Sequence, residues 1–409
     1  MPYCRLAEGC GNREETALLP YVLLLLFLVV SGFLLCERNP SRRKDAIYLG
    51  IASLGLILFA AFRGETVGID YPMYQTYFEQ MHREGWQFLT GPQNEYRMEF
   101  GFSFLNFAIS RFTGDVHVFM AVAATILVLL AAIAIYRDCS IPWVGMFIFV
   151  SFHFFGNSMS FIRQSFAIGI FLFAIRYLKE KRFVPYLLIV LLAATFHKSI
   201  LLLIPFYFLA QVPICWKTLA VYGTGTILIM AFFWPIFEFI TQFVYQFYAT
   251  EEGLYFLRGR DWQTAFIPVS LAVVALLLKG RLLRQNPQNG ALVHLTVCTG
   301  LLFILTCQHY IFQRIGNIFF AGAIFLLPEL LKGIRIEPAA DEDLEQRRFQ
   351  MRSERKQQMR ERRKRKSVEN WHRQYYYYSL GVTLFFGTLY YIWFLLQNRI
   401  NLIPYVTFF

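Results

Sequence analysis

The stretch FHKSILLLIPFYFL, residues 196–209, places His197 and Lys198 inside an otherwise apolar run, and the preceding segment FVPYLLIVLLAAT (183–195) is apolar as well. Two short apolar segments flanking a polar pair are typical of a helix that is interrupted within a membrane. The pattern predicts a break at His197 and Lys198 between two short helices. The backbone groups freed at such a break are tolerated only where they face protein or water.

The composition of the whole chain supports a membrane fold. Its 409 residues are 56% hydrophobic and 18% aromatic, which is too much apolar surface for one soluble core. About 20 apolar residues suffice to cross a hydrocarbon layer of about 30 Å. The sequence predicts an all-α polytopic integral membrane protein with about 12 transmembrane helices, because a strand barrel would show alternation instead. The predicted segments are 17–36, 46–62, 115–136, 142–157, 160–178, 183–196, 198–210, 218–240, 263–279, 290–307, 311–331 and 374–396.

Basic residues in the connecting loops predict the orientation, because short loops rich in Lys and Arg stay on the cytoplasmic side. The first apolar segment is long and no small-residue cleavage site follows it, so we interpret it as a retained anchor rather than a signal peptide. With twelve crossings and an exported N-terminus, all basic loops fall on the cytoplasmic side. These loops are 36–45, 136–140, 178–183, 277–285 and 332–373.

This orientation divides the chain into three parts of one membrane domain. Residues 1–331 form a multi-span region with an outer loop at 63–98, and EFGFSFLNFAISRF (99–112) is predicted to be a helix lying in the outer interface. Residues 332–373 form a basic cytoplasmic segment. Residues 374–409 contain the last transmembrane helix and a short outer tail.

The basic segment accounts for about half of the chain's net charge of +12. It carries fourteen Lys and Arg residues against eight acids. No base-reading motif accompanies it, so we expect it to touch anionic lipid headgroups rather than nucleic acid.

The sequence predicts no metal and no cofactor. Seven cysteines are scattered without the CxxC or Cys/His spacing of metal sites, and no Gly-rich nucleotide loop is present. We interpret them as unpaired structural thiols, although Cys4 and Cys10 could pair if they are exported.

Polar residues collect on the predicted outer side, where each charged side chain within an apolar segment is a functional candidate. Each also has a structural interpretation, since an arginine can snorkel, a histidine can bond a carbonyl and tyrosines form the aromatic belt. Several arginines with carboxylates and a histidine on one face exceed what a belt requires and predict a site for a diphosphate, as on a polyprenyl-linked sugar. The set comprises Arg63, Asp70, Glu95, Arg97, Glu99, Asn157, Arg163, His197, His309 and Arg314.

Six motifs, taken in order, carry a resemblance to a known family. They are FRGETVGIDYPMY (62–74), EFGFSFLN (99–106), NSMSFIRQSFAIGIFLFAIRYL (157–178), ATFHKSILLLIPFY (194–207), FQRIGNIFF (312–320) and LIPYVTFF (402–409). The chain resembles the EpsG branch of the Wzy-type bacterial polysaccharide polymerases. It departs from the family pattern in lacking an aromatic residue one turn after Arg314 and in its long basic segment.

The resemblance implies a metal-independent, lipid-linked glycosyltransferase of surface polysaccharide, whether O-antigen, capsule or exopolysaccharide. It would transfer a growing glycan from undecaprenyl diphosphate to the incoming lipid-linked repeat unit at the outer face of the bacterial inner membrane. The implied partners are these donor and acceptor lipids, with a chain-length regulator and a flippase as further candidates. The alternatives are a lipid-linked oligosaccharide flippase or other transporter and a polysaccharide ligase. A membrane O-acyltransferase would not account for the arginines, and a non-catalytic scaffold would not account for the charged residues on the predicted outer side.

The polymerase hypothesis assigns two roles to the polar residues. His197 is the first choice as general base because the ordinary pKa of histidine lies closest to ambient pH, and Glu99 and Asp70 are the alternatives. A carboxylate could instead orient His197. The predicted substrate-binding residues are Arg63, Arg163, Arg314, Tyr71, Tyr74, Asn157 and Gln164.

Overall fold

The computed structural model describes residues 11–38, 40–91, 98–235, 239, 262–335 and 355–408. Seventeen α-helices lie within these ranges. Their bounds are α1 Gly11–Gly32, α2 Arg42–Ala61, α3 Tyr71–Glu84, α4 Phe100–Ser110, α5 Val116–Asp138, α6 Pro142–Ser151, α7 Phe154–Ser160, α8 Ile162–Lys179, α9 Phe183–Ala194, α10 Leu203–Leu209, α11 Trp216–Ala231, α12 Phe266–Leu277, α13 Lys279–Gln285, α14 Gly290–Leu305, α15 Ile311–Phe320, α16 Ala323–Arg335 and α17 Arg355–Gln397. Four residues considered above, Cys4, Cys10, Glu95 and Arg97, lie outside the described ranges, as does 336–354 of the basic segment.

The described residues confirm an all-α polytopic membrane protein. Within them, five helices are long and apolar enough to cross a bilayer, and two bent helix pairs raise this number to seven if each pair is one span. The bends are 63° between α12 and α13 and 44° between α15 and α16. Three shorter apolar helical segments, Pro142–Ser151, Phe183–Ala194 and Lys198–Leu209, lie within predicted crossings, and a fourth, Phe100–Ser110, matches the predicted interfacial helix. The total of about 12 crossings and the division into three parts stay predictions.

The break predicted at His197 and Lys198 is confirmed. Helix α9 ends at Ala194, and a 3₁₀ helix, Lys198–Leu202, leads into α10. The two arms pack side by side, with the rings of Phe183 and Phe208 5.2 Å apart. Each arm has 12 residues and is therefore about 18 Å long, too short to cross the hydrocarbon layer alone. The pair forms a helical hairpin whose tip is residues 195–198.

The segment predicted to span the membrane at 142–157 is bent rather than continuous. Helix α6 ends at Ser151, and His153 has a left-handed backbone conformation with φ of 68° before α7 begins. Its ring stacks on Phe394 at 3.7 Å, which holds the bend against α17. A second break, at Phe161, separates α7 from α8.

The predicted outer loop, 63–98, contains a helix, α3, which the sequence analysis did not predict. Its side chains at Tyr74, Phe78 and Met81 are buried, and their spacing of three or four residues is that of one helix face. This face packs on Phe102 of α4 and on α5. The expected interfacial helix is α4, which exposes Phe100.

The candidate site residues and the basic loops lie at opposite ends of α5 and α8. At the start of α5 the Tyr71 hydroxyl lies 3.3 Å from Nδ1 of His117. At the other end Arg176 lies 3.8 Å from Asp138. Helix α8 has 18 residues and is about 27 Å long. The segregation by end agrees with the predicted orientation, while sidedness relative to the membrane stays a prediction.

The segment after α17 folds back onto the loop between α2 and α3. The backbone amides of Gly64, Gly68 and Ile69 donate to carbonyls of that segment at 2.7, 2.8 and 3.1 Å. Gly68 has φ of 109°, and a Cβ there would lie 2.4 Å from the Met159 carbonyl oxygen. Only glycine suits this position, which lies two residues before Asp70.

Candidate functional site

An ion pair between Glu99 and Arg163 lies at the centre of the candidate site. Nη1 of Arg163 donates to Oε2 of Glu99 at 2.8 Å, and the two side chains are 26% and 9% exposed, respectively. Glu99 precedes α4 and Arg163 is the second residue of α8, so the pair joins two elements 64 residues apart. A charge-assisted hydrogen bond of this length, largely removed from water, fixes both elements.

The same carboxylate holds the tip of the hairpin. Oε1 of Glu99 lies 3.6 Å from Nδ1 of His197 and accepts a hydrogen bond from the backbone amide of Lys198 at 3.3 Å. The backbone amide of Gly101 donates to the Thr195 carbonyl at 2.7 Å. A Cβ at Gly101 would lie 2.4 Å from Oγ1 of Thr195, so glycine permits this close approach. Glu99 thus brings Arg163 and His197 together.

Two opposing effects set the pKa of Glu99. Burial alone would raise it, but the adjacent His197 and the positive charge of Arg163 outweigh burial and hold the pKa at about 2. The group is therefore a carboxylate at neutral pH. A carboxylate with so low a pKa is a poor general base, and it suits the orientation of His197 instead.

At Asp70, burial affects the pKa more strongly than the nearby positive charges do, which is the reverse of the case at Glu99. Asp70 is half-buried and precedes α3, and burial raises its pKa despite the positive charges of Arg314 and Arg163 nearby. The backbone bonds of Gly68 and Ile69 hold the loop that carries it. Asp70 is therefore the more basic of the two site carboxylates.

Arg314 reaches the same region from α15. Its guanidinium lies over the Phe161 ring at 4.9 Å from the centroid, and its backbone carbonyl accepts a hydrogen bond from the side chain of Gln164. Phe161 and Gln164 flank Arg163 in the chain. Their contacts bring Arg314 close to Arg163 and to Asp70, so both arginines act on one carboxylate.

The predicted tyrosines and Arg63 lie deeper. Tyr74 is 1% exposed and its hydroxyl accepts a hydrogen bond from the Arg163 guanidinium. Arg63 is only 2% exposed, near Tyr71 and Tyr74, and its Nη2 lies 3.4 Å from Sδ of Met120. Tyr74 therefore links the two arginines, while the buried Arg63 lacks the exposed edge that Arg163 retains.

Asn157 lines a cavity next to the charged cluster, and Gln164 lines the same cavity and bonds to Arg314. Asn157, Gln164 and Asn317 are the amide side chains lining an otherwise mainly apolar cavity between α5, α7, α8 and α15. This cavity extends along α8 as far as Leu172. Asn157 therefore lies in the wall of this cavity, together with Phe161 and Gln164.

Sequence reasoning assigned no site role to four contributors, one of which, Lys198, it had placed only at the helix break. Thr195 and Gly101 dock the hairpin on α4, Phe161 supports Arg314, and Lys198 offers an exposed ammonium. Their signals were slight: a glycine two positions after Glu99, and an aromatic residue two positions before Arg163. His309, by contrast, packs against Phe233 and is 2% exposed.

The arrangement has a small surplus of positive charge. Within the described residues, Arg163, Arg314 and Lys198 oppose Glu99 and Asp70, and no carboxylate lies within ion-pair distance of the Lys198 ammonium. Such a site can bind an anion, and it places an imidazole beside the cations. In the same described part, no three His, Cys, Asp or Glu side chains are grouped to hold a metal ion; metal independence stays a prediction.

Comparison with known proteins identifies one family. A family model described as EpsG family matches residues 46–339, which is well over half of the chain and contains every residue of the predicted site. No curated protein and no solved structure matches the chain. The segment 400–406, whose carbonyls accept hydrogen bonds from the loop before Asp70, lies outside the matched range.

Proposed function

The chain belongs to the EpsG family, and from this we propose that it polymerises a surface polysaccharide at a bacterial inner membrane. The family suggests a polysaccharide polymerase-type function. In the proposed reaction, a growing glycan leaves its undecaprenyl diphosphate carrier and is joined to the incoming lipid-linked repeat unit. Donor and acceptor are both lipids, so the reaction needs no nucleotide sugar outside the cell.

One observation carries this proposal: Glu99 holds an arginine and a histidine side by side. Arg163 lies 2.8 Å from one carboxylate oxygen, and His197 lies 3.6 Å from the other. Transfer from a diphosphate carrier requires this combination, because a cation must stabilise the departing anion while a base receives the acceptor's proton.

The cations have the first role in the proposed mechanism. Arg163 and Arg314 bind the donor diphosphate and stabilise the charge that develops as the bond between the anomeric carbon and the phosphate oxygen breaks. Glu99 and Asp70 offset these arginines, so Lys198 provides the surplus charge that a bound diphosphate requires. Arg63 supports the site through Tyr74 and Tyr71. Guanidinium groups supply this stabilisation without a metal ion.

The base has the second role. The acceptor hydroxyl attacks the anomeric carbon and gives its proton to His197, while Glu99 orients the ring. Asp70 remains the alternative base, since burial makes it more basic than Glu99. A diphosphate leaves without much acid assistance, so one base suffices, in contrast to the carboxylate pair of a glycosidase.

The proposed site faces the outer side of the membrane, where a flippase would deliver the repeat unit and a chain-length regulator could act. The basic segment 332–373 would then contact anionic lipid on the cytoplasmic side. A flippase or a polysaccharide ligase would also need a diphosphate-binding arginine cluster, and the experiment below separates both from the polymerase.

The test is the glycan profile of cells that carry Arg163→Ala or His197→Ala. We expect at least a hundredfold loss of polymer for Arg163→Ala, with single lipid-linked repeat units accumulating on the outer face. A control is Arg83→Ala, because Arg83 is an arginine of the predicted outer loop, 63–98, with its side chain 62% exposed. Membrane levels of every variant are measured alongside.

The location of the intermediate distinguishes the candidate functions. Single units on the outer face support the polymerase, whereas retention inside supports a flippase. Long polymer that stays attached to its lipid carrier supports a ligase. Polymer of normal length in both variants contradicts the proposed site.

A further inference from the structure

A polar cavity, distinct from the mainly apolar one that Asn157 lines, lies at the end of α5 and α8 opposite to the Glu99 site. Its volume is about 300 Å³, which is at the lower limit for small-molecule sites and holds a phosphate group with several waters. Side chains from four helical elements surround it. The lining residues are Arg137, Asp138, Ile175, Arg176, Lys179, Glu180, Gln288 and Phe325.

Two of the lining arginines already have carboxylate partners. Arg137 pairs with Asp138 at 2.7 Å, and Arg176 pairs with Glu180 at 2.8 Å. Each of these pairs leaves guanidinium hydrogens that can still donate, because arginine has five N–H groups. The arginines can therefore accept an anion without losing their partners.

Lys179 differs from these arginines. Among the described residues, no carboxylate lies within ion-pair distance of its ammonium, although the side chain is half-buried and lines the cavity. Glu329 and Asp138 exert an attraction on it and Lys332 a repulsion. A partly buried cation without a close partner is costly unless an anion joins it.

The charges around the cavity leave a surplus of one positive charge. The cations are Arg137, Arg176, Lys179 and Lys332, and the carboxylates are Asp138, Glu180 and Glu329. Arginine forks and a lysine ammonium are the common ligands of phosphate oxygens in proteins. The basic loops at this end also predict the cytoplasmic face, where anionic phospholipids are abundant.

We propose that this cavity binds a phosphate group through Lys179, Arg137 and Arg176, either as the headgroup of an anionic phospholipid or as a free phosphate. This inference is independent of the polymerase proposal, because Arg176 and Lys179 lie about 20 and 24 Å along α8 from Arg163.

The experiment measures binding to the full-length purified protein in two arms. Inorganic phosphate is titrated in detergent with the unfolding temperature as readout, and phosphatidylglycerol retention is measured by native mass spectrometry against phosphatidylcholine. The variants are Lys179→Gln and Gln288→Glu, which adds a carboxylate at an exposed lining position. Lys181→Gln is the control, because Lys181 is exposed in the adjacent turn and does not line the cavity.

We expect both cavity variants to bind about tenfold more weakly than the wild type and Lys181→Gln, which is the effect of one charge-assisted hydrogen bond. Weakening in the phosphate arm identifies a free phosphate, and weakening in the lipid arm alone identifies a headgroup. Equal binding by all four proteins in both arms overturns the proposal. Gln288→Glu keeps the test decisive if Lys179→Gln does not fold.

Discussion

The two ends of α8 each carry an arginine paired with a glutamate, yet the two pairs differ in kind. Arg163 binds Glu99 across 64 residues, and that carboxylate is only 9% exposed. Arg176 binds Glu180 within one helical turn, and both side chains are more open to water. A local exposed pair adds little to stability, whereas a distant shielded pair fixes tertiary structure. The contrast shows that chain separation and burial, rather than the presence of a salt bridge, distinguish the end with the candidate site.

The largest expected effect comes from removing the glutamate of the Arg163–Glu99 pair, with the same substitution in the Arg176–Glu180 pair as the control. Glu99→Gln leaves Arg163 without its anionic partner and releases the hairpin tip, so we expect loss of long polymer and about 2 kcal/mol lower stability. Glu180→Gln should change neither. Polymer length on gels and thermal unfolding of the purified variants check this, and equal effects of both substitutions would remove the distinction between the ends.

The next effect concerns how closely α4 approaches the hairpin. Gly101→Ala places a methyl group 2.4 Å from Oγ1 of Thr195, and we expect about 1–3 kcal/mol of destabilisation with reduced polymer. Gly50→Ala in α2 is the control, since nothing lies within 4 Å of its Cβ position. Adding Thr195→Ala to Gly101→Ala should restore part of the loss. A neutral Gly101→Ala would mean that the tip is not held by this contact.

Acid titration sharpens the comparison of the two site carboxylates. The pKa of Glu99 falls from an ordinary 4.5 to about 2 on folding, so its contribution is present above pH 4.5 and is lost as the pH falls through about 2. The difference in unfolding temperature between wild type and Glu99→Gln should therefore shrink over that range. Asp70→Asn should show the opposite sign, because the pKa of Asp70 is raised. Parallel curves for the two variants would contradict these assignments.

The smallest effect is expected from changing Phe161, whose ring lies against the Arg314 guanidinium. Phe161→Leu removes the ring 4.9 Å from its guanidinium, and we expect a loss of about 1 kcal/mol that raises the KM for the lipid donor more than it lowers kcat. Phe161→Tyr keeps an aromatic face and should behave like the wild type. A drop in kcat alone would indicate that Arg314 acts only in the transition state.

Sequence reasoning predicted the helical class, the break at His197 and the collection of polar residues at one end. These features follow from local patterns: apolar length, a polar pair inside it and basic loops. The bend at His153 was missed because its surroundings, FVSFHFFGN, contain no proline or glycine before the bend. Helix α3 was missed because its tyrosines suit a membrane belt as well as a buried helix face.

The pairing of residues could not be predicted, because it depends on distant contacts. Nothing in the sequence assigns Glu99 rather than Asp70 to Arg163, or shows that Arg63 is buried against Met120. The site residues also differ in accessibility, which periodicity does not reveal. The structure brings together Glu99, Arg163, His197, Arg314 and Asp70, and places Asn157 in the wall of the adjacent cavity.

The bonds from Gly64, Gly68 and Ile69 to the segment around residues 400–406 have a consequence for biosynthesis. A ribosome must add more than 300 residues after Gly68 before the partner carbonyls exist. Until then the loop before Asp70 lacks these three bonds, and the hydrogen bond from the Ile69 amide to the Ser160 hydroxyl is its contact with the break before α8. The loop that carries Asp70 would therefore reach its final form only once translation has passed this segment, after the other elements of the candidate site have been made.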